Sequence, residues 1–143
     1  MPDSGEYGGN GEMVMATLRR EFRSPRSADE VWAVLKQFDR VHELAKGFVV
    51  ASRMESGGAR VVTFANGMEV REWFVSADDA ERRLVYAITD NPRYAHYSAS
   101  AQVFEDGAGS RFLWTVDFLP DEMAPMQGTA MDAGAAAMAK ALG

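Results

Sequence analysis

The 143-residue sequence contains no cysteine, which excludes disulfides, thiolate nucleophiles and cysteine metal ligands. Histidine is scarce. His42 and His96 are the only two, and neither sits in a carboxylate cluster, so no local metal-ligand set is read. Apolar runs long enough to span a bilayer, about 18 residues, are missing. No basic stretch followed by an apolar core is seen near Met1, so no secretory signal is read and a cytoplasmic location is expected. Positive charge is in deficit: 15 Lys and Arg stand against 21 Asp and Glu, for a net charge of −6. That balance disfavours a surface built to neutralise nucleic-acid phosphates. Arg19, Arg20, Arg23 and Arg26 do cluster, but Arg19 and Arg20 point to opposite faces of a strand, so they read as a solvated edge. No G-x-S-x-G, no H-E-x-x-H and no glycine-rich phosphate loop is present.

What is present reads as one domain. Hydrophobic residues make up 47% and charged residues 25%, an ordinary balance for a globular protein. Residues 1–12 are rich in glycine and lack apolar periodicity, so a flexible leader is expected, followed by a single domain over 13–143. Residues 13–22 read as a strand, which Ser24-Pro25-Arg26-Ser27 breaks. Ser27 and Glu30 have capping-box spacing, and Val31, Trp32, Leu35 and Phe38 follow at helical intervals. A helix is expected from Ala28 to Gln37. A second short helix, Arg40 to Lys46, is expected with Asp39 as its cap and Gly47 at its exit.

Six strand-like segments come next: 48–55, 60–65, 68–77, 83–89, 97–105 and 110–119. Every gap carries turn residues, among them Gly57-Gly58, Asp78-Asp79 and Asp106-Gly107. Asn66-Gly67 is the strongest hairpin signal and suggests a type I′ turn. Connections this short force antiparallel neighbours. Pro120 and Asp121 then open a C-terminal helix, expected from Glu122 to Leu142. Met123, Met126, Ala130, Met131, Gly134 and Met138 share its broad apolar face. Gly128 and Gly134 imply either close packing or a bend.

Period-2 alternation sorts the strands. Val70, Glu72 and Phe74 share one face, Tyr86 and Ile88 another, and Tyr97, Ala99, Ala101 and Val103 a third. In the last strand the bulky set is Phe112, Trp114, Val116 and Phe118, provided that no bulge shifts it. Ala99 and Ala101 are small where a filled core favours Leu or Ile. The long helix that must cover this sheet is itself built of Ala, Gly and Met. The pattern fits either a fully packed core, in which each Ala faces a bulky residue opposite, or a cavity between the two with mostly apolar walls and a few polar tips; the cavity is taken as the expectation. Its expected lining is Val70, Glu72, Phe74, Tyr86, Ile88 and Tyr97 from the middle strands. Ala99, Trp114, Met131 and Met138 complete it.

Glu72 is the sharpest residue, because a carboxylate on an apolar face must find a partner such as Arg60 or a ligand. With Tyr97 it forms the candidate catalytic pair. His96 is a candidate guard of the cavity mouth. No cofactor and no metal are expected. The expected partner is a hydrophobic small molecule, lipid-, polyketide- or aromatic-like, with no nucleic acid and no integral membrane association. Monomer and homodimer remain open.

The element order β-α-α-β6-α, with its long last helix, resembles the helix-grip fold of the START and pollen-allergen (SRPBCC) superfamily. That is an α+β fold in which a curved seven-stranded antiparallel sheet wraps around the C-terminal helix, with two short helices after strand 1. The local text agrees. Ser27-Ala-Asp-Glu-Val-Trp-Ala-Val-Leu resembles the first helix of its polyketide cyclase/dehydrase and lipid-transport branch. Gly67-Met-Glu-Val-Arg-Glu72 and Arg111-Phe-Leu-Trp114-Thr-Val-Asp-Phe are similar to strands of that branch. Plant abscisic-acid receptors are a similar group. There, positions matching Glu72 and Tyr97 line the ligand cavity, and positions matching Tyr86 and Ile88 form apolar wall. The receptors' Ser-Gly-Leu-Pro gate is replaced here by Ala65-Asn66-Gly67, and their His-Arg-Leu latch is absent from 91–97. The resemblance implies a hydrophobic cavity without that gate. It also implies two alternatives to simple binding: an aromatase/cyclase-type enzyme with Glu72 as base, and an Hsp90-activator-like interaction domain.

Overall fold

The computed structural model describes residues 14–143. The expected leader, 1–12, and the expected first strand residue, Met13, lie outside the described residues. Strand β1 (Ala16–Ser24) leads into helix α1 (Ala28–Leu35). A 3₁₀ turn, Phe38–Arg40, and a single-turn helix α2 (Val41–Leu44) follow. Six strands then run in succession: β2 (Val49–Met54), β3 (Ala59–Phe64), β4 (Glu69–Asp78), β5 (Arg83–Ile88), β6 (His96–Asp106) and β7 (Gly109–Leu119). A 3₁₀ turn at Asp121–Met123 enters the long helix α3 (Ala124–Ala141).

All seven strands form one antiparallel sheet in the order β1-β7-β6-β5-β4-β3-β2. Each of β2 to β7 pairs with its neighbour in sequence, as short turns demand. Only β1 joins out of order, pairing β7 across the sheet end. With a long helix on one face of an open antiparallel sheet, this is the helix-grip architecture.

Helix α1 begins where the capping box places it. The Ser27 hydroxyl accepts from the Glu30 backbone N–H at 3.1 Å, and the Glu30 carboxylate accepts from the Ser27 N–H. Ala28, Val31, Trp32 and Leu35 form its buried face. Substituting Ser27 with Ala is expected to cost about 1 kcal/mol of stability in urea unfolding, the usual worth of an N-cap. Helix α1 ends at Leu35, two residues before the expected Gln37. The second helix is also shorter than expected. Asp39 makes no cap bond; it lies inside the 3₁₀ turn, and Arg40 precedes α2 instead. Gly47 does make the exit, at φ +93°.

The hairpin at Asn66-Gly67 is not type I′. Only Gly67 has positive φ, at +88°. The Phe64 N–H donates to Met68 O at 2.9 Å, and the Gly67 N–H donates to Phe64 O at 2.9 Å. This is a three-residue loop with glycine in the left-handed position. The Asn66 side chain favours it by accepting from the Met68 N–H at 3.0 Å.

No bulge shifts the last strand, and the β6–β7 and β1–β7 registers run without interruption. Phe112, Val116 and Phe118 are consequently fully buried. Register shifts fall instead at Val49/Ala51 in β2 and between Phe74 and Ser76 in β4.

Helix α3 packs against the sheet closely rather than bending. A Cβ on Gly134 would lie 3.1 Å from both Phe48 and Trp114, and one on Gly128 would lie 3.1 Å from Arg20. Among the strands, α3 approaches β1 most closely. Arg20 of β1 bonds to Asp132 and to the Gly128 carbonyl, which pins the helix there. The helix thus leans toward one end of the sheet. Space is left over the other end.

Candidate ligand-binding site

That space is a cavity of about 400 Å³ between α3, α2 and the β3–β6 half of the sheet. The cause lies in residue size. Over the cavity the helix offers Ala130 and Gly134, with Met126, Gln127 and Met138 beside them. Ala101 of β6 is the matching small residue on the sheet, lying in register between Leu84 and Trp114. Val41, Leu44 and Phe48 close one side. Five lining residues are exposed: Gln37 after α1, Ala65 and Asn66 from the β3–β4 turn, Arg93 from the β5–β6 loop, and Met126 from the start of α3; the last four mark the mouth. Arg93 Nη1 reaches Met126 Sδ across it at 3.6 Å.

Seven of the ten expected lining residues are there: Val70, Glu72, Tyr86, Ile88, Tyr97, Trp114 and Met138. Three are not. Phe74 is half-exposed and meets Phe38 edge-on, with ring centroids 5.6 Å apart. The register of β4 against β5 shifts just after it. Ala99 is buried between two larger cross-strand partners, Tyr86 and Val116, which reach further inward than its methyl. Met131 is fully buried but does not line the cavity; it lies about 100° around the helix from Ala130, at the edge of the inward face. His96 is exposed and does not line the mouth. His42 bonds to the Ser52 hydroxyl at 2.7 Å instead of facing the cavity.

Arg60, Glu72 and Tyr97 come from one row of the sheet, and Tyr86 stands two residues along β5 from it. Arg60, Glu72 and Ile88 are direct cross-strand neighbours, and Tyr97 and Phe118 continue the same line. Arg60 and Glu72 are both buried. Arg60 Nε and Nη2 each lie 2.8 Å from Glu72 Oε1. Its Nη1 donates to the Phe38 carbonyl at 2.8 Å. The guanidinium is flanked by the Phe38 ring at 3.9 Å and the Tyr86 ring at 5.0 Å. The cation is therefore neutralised, hydrogen-bonded and covered by aromatic faces. Both contacts of Glu72 use Oε1. Among the described residues no buried polar side-chain atom lacks a partner, so the unbonded Oε2 has to open onto the cavity.

Two hydrogen-bond chains hold the tyrosines. Trp114 Nε1–H donates to the Tyr86 hydroxyl at 3.1 Å. Tyr94 O–H donates to Gln127 Oε1 at 2.6 Å, and Gln127 Nε2–H donates to the Tyr97 hydroxyl at 3.2 Å. Sequence reading missed Gln127 and Tyr94. The signal for Gln127 was available: it is the lone amide on a helix face continued by Met131, Gly134 and Met138.

Burial raises the pKa of Tyr86 well above the ordinary tyrosine value, and the Glu72 charge adds to the shift. Tyr97 is raised by burial first, then by Tyr86 and Glu72. A raised folded pKa gives stability that is complete below the ordinary tyrosine pKa of about 10 and is lost as pH climbs toward the folded value. Ultraviolet titration is expected to show two phenols ionising only with alkaline unfolding, and Tyr86→Phe or Tyr97→Phe should each remove one.

The sequence profile described as polyketide cyclase/dehydrase and lipid transport matches residues 15–143. The chain belongs to that family. No curated protein matches it. Among solved structures it is similar to an uncharacterised protein of Bacillus thuringiensis, with 21% identity and a TM-score of 0.79 over 89% of this chain and 98% of that one. It is also similar to norcoclaurine synthase from Thalictrum flavum, with 20% identity and a TM-score of 0.71 over 91% and 92% of the two chains. A third neighbour, the protein XoxI from Bacillus cereus, has 22% identity and a TM-score of 0.76 over 91% and 96%. At these identities the likeness concerns the fold. Among the described residues of this family member, no helix is long and apolar enough to cross a membrane.

Proposed function

We propose that this family member binds a hydrophobic small molecule in the cavity between the sheet and α3. The observation that carries the reading is the cavity itself: about 400 Å³, mostly apolar, with Glu72, Tyr86 and Tyr97 converging on it. That volume falls in the usual range for small-molecule sites, about 300–1,000 Å³. Apolar walls supply affinity and the polar row supplies orientation. The fold accepts small aromatic compounds in at least one neighbour, since norcoclaurine synthase is known in complex with dopamine and hydroxybenzaldehyde. Two experiments test the proposal: displacement of the neutral dye N-phenyl-1-naphthylamine by lipids and polyphenols, and native mass spectrometry of protein taken directly from cells. Dye uptake with displacement supports it. No uptake, no displacement and no co-purifying mass refute it.

A second reading is favoured by one feature, the unbonded Oε2 of Glu72. A carboxylate oxygen free inside an apolar cavity is where a general base would stand. In that reading Glu72 takes a proton α to a carbonyl while Tyr97 donates to the carbonyl oxygen, as in an aromatase/cyclase. Deuterium incorporation into the acetyl group of 2-acetonaphthone in D₂O, followed by NMR, distinguishes it. Exchange that is accelerated by the protein and lost in Glu72→Gln supports turnover, and a rate equal to buffer excludes it.

A further inference from the structure

At the buried end of the cavity the cation among the described residues is already paired, and two tyrosine hydroxyls are left to donate. Arg60, the only cation deep in the lining, has Nε and Nη2 committed to Glu72 and Nη1 to the Phe38 carbonyl. The other lining cation, Arg93, is exposed at the mouth. A carboxylate or phosphate entering the deep end would meet no free positive group and would face the Glu72 charge. Each of the two tyrosine hydroxyls already accepts a hydrogen bond, from Trp114 or from Gln127. Neither phenolic hydrogen has an acceptor among the described residues, so each is left to donate. Tyr94 fixes the arrangement, because its hydroxyl occupies Gln127 Oε1 and turns the amide nitrogen toward Tyr97. Glu72 Oε2 is the carboxylate oxygen left to accept among the described lining residues.

From this we infer that the cavity selects a neutral ligand whose inner end presents a carbonyl-type oxygen to Tyr86 and Tyr97, and that it discriminates against carboxylates and phosphates of the same shape. A hydroxyl beside that oxygen would also satisfy Glu72 Oε2, which makes hydroxy-ketones and phenolic ketones the best-matched class. The inference rests on the proposed binding of a hydrophobic small molecule. It specifies the chemistry of the buried end.

Three probes of one shape separate the possibilities: 2-acetonaphthone, which is neutral with an acceptor oxygen; 2-naphthoate, which is anionic at pH 7.5; and 2-ethylnaphthalene, which has no oxygen. Competition against N-phenyl-1-naphthylamine reads the affinities. The ketone is expected to bind at least about fivefold tighter than the hydrocarbon, as one or two net hydrogen bonds allow, and at least about tenfold tighter than the acid. Tyr86→Phe and Tyr97→Phe should each shrink the ketone-to-hydrocarbon ratio by about threefold or more. Glu72→Gln keeps an oxygen for Arg60 but removes the opposing charge, so naphthoate affinity should rise at least about tenfold in any variant shown folded by circular dichroism. Naphthoate binding as tightly as the ketone in the unaltered protein overturns the inference, as does a ketone advantage that survives both tyrosine changes. If the hydrocarbon and the acid bind as well as the ketone, the neutral-oxygen selection fails while the cavity remains a binding site. If none of the three binds, the binding proposal itself fails. Should Glu72→Gln not fold, the two tyrosine variants still decide the matter.

Discussion

Replacing Glu72 with alanine should destabilise the protein by about 3–5 kcal/mol, one of the largest effects available from a single substitution outside the apolar core. The two side chains of the pair are 5% and 8% exposed. Glu72 supplies the only negative charge among the described residues within salt-bridge distance of Arg60. Without it the guanidinium stays buried against Phe38 and Tyr86 with only the Phe38 carbonyl to hold it. An uncompensated buried cation is far costlier than a lost pair. Arg60→Met alone should cost a similar amount, since it strands the carboxylate. The double variant Arg60→Met/Glu72→Met should recover most of the loss, because neither charge then needs desolvation. Urea unfolding of the unaltered protein, Arg60→Met, Glu72→Met and the double variant gives the coupling directly. A loss below about 1 kcal/mol for Glu72→Ala would place this pair with solvent-exposed ion pairs and undo the description of a neutralised, covered cation.

Local chemistry was legible in the sequence, and pairing geometry was not. The Ser27–Glu30 cap is a short-range device, so four residues suffice to read it. Gly47 is equally local, because a backbone at φ +93° favours glycine whatever surrounds it. Strand faces follow from alternation, which is why Tyr97 to Val103 sorted cleanly, whereas apolar Val85 and Ala87 left Tyr86 and Ile88 only weakly distinguished on β5. Alternation names the face of each strand but not which residues stand side by side across strands. The Arg60-Glu72-Ile88 row exists only once β3, β4 and β5 are in register. Alternation does not say how far along a strand the cavity reaches. Phe74 shares its inward set with Val70 and Glu72 and pairs with Tyr86, yet it packs on Phe38 outside the cavity lining.

The helix shows the same limit. The 3.6 period placed Met131 and Ala130 on one broad face, but they are adjacent residues about 100° apart around the axis. A helix leaning toward β1 sends Met131 into dense packing and Ala130 over empty space. The lean comes from Gly128 and the Arg20–Asp132 contact, and both require the β1–β7 pairing at the far end of the sheet. Gln127 escaped because the face was read by its apolar residues alone. A single amide interrupting such a face is an anomaly of the same kind as Glu72 in β4, and it deserved the same weight.

Filling the cavity separates binding from folding. Ala130→Trp projects an indole from α3 into the empty volume, where the wall residues are largely apolar. N-phenyl-1-naphthylamine affinity is then expected to fall at least about tenfold, since partial filling of a cavity of about 400 Å³ takes it below the usual range for small-molecule sites. Stability should hold or rise. A ring that finds room gains roughly 1.5–3 kcal/mol of transfer free energy, set against rotamer entropy and any misfit. Ala136→Trp, on the exposed side of the same helix, is the matched control: it changes helix propensity equally, lies outside the cavity lining and should bind dye as the unaltered protein does. Small, buried Ala99 does not line the cavity, so Ala99→Leu gives the opposite signature, with overpacking that lowers the melting temperature while the cavity keeps its volume. Unchanged dye binding in a folded Ala130→Trp protein would mean that the ligand sits elsewhere, because no occupant of this volume can share it with an indole.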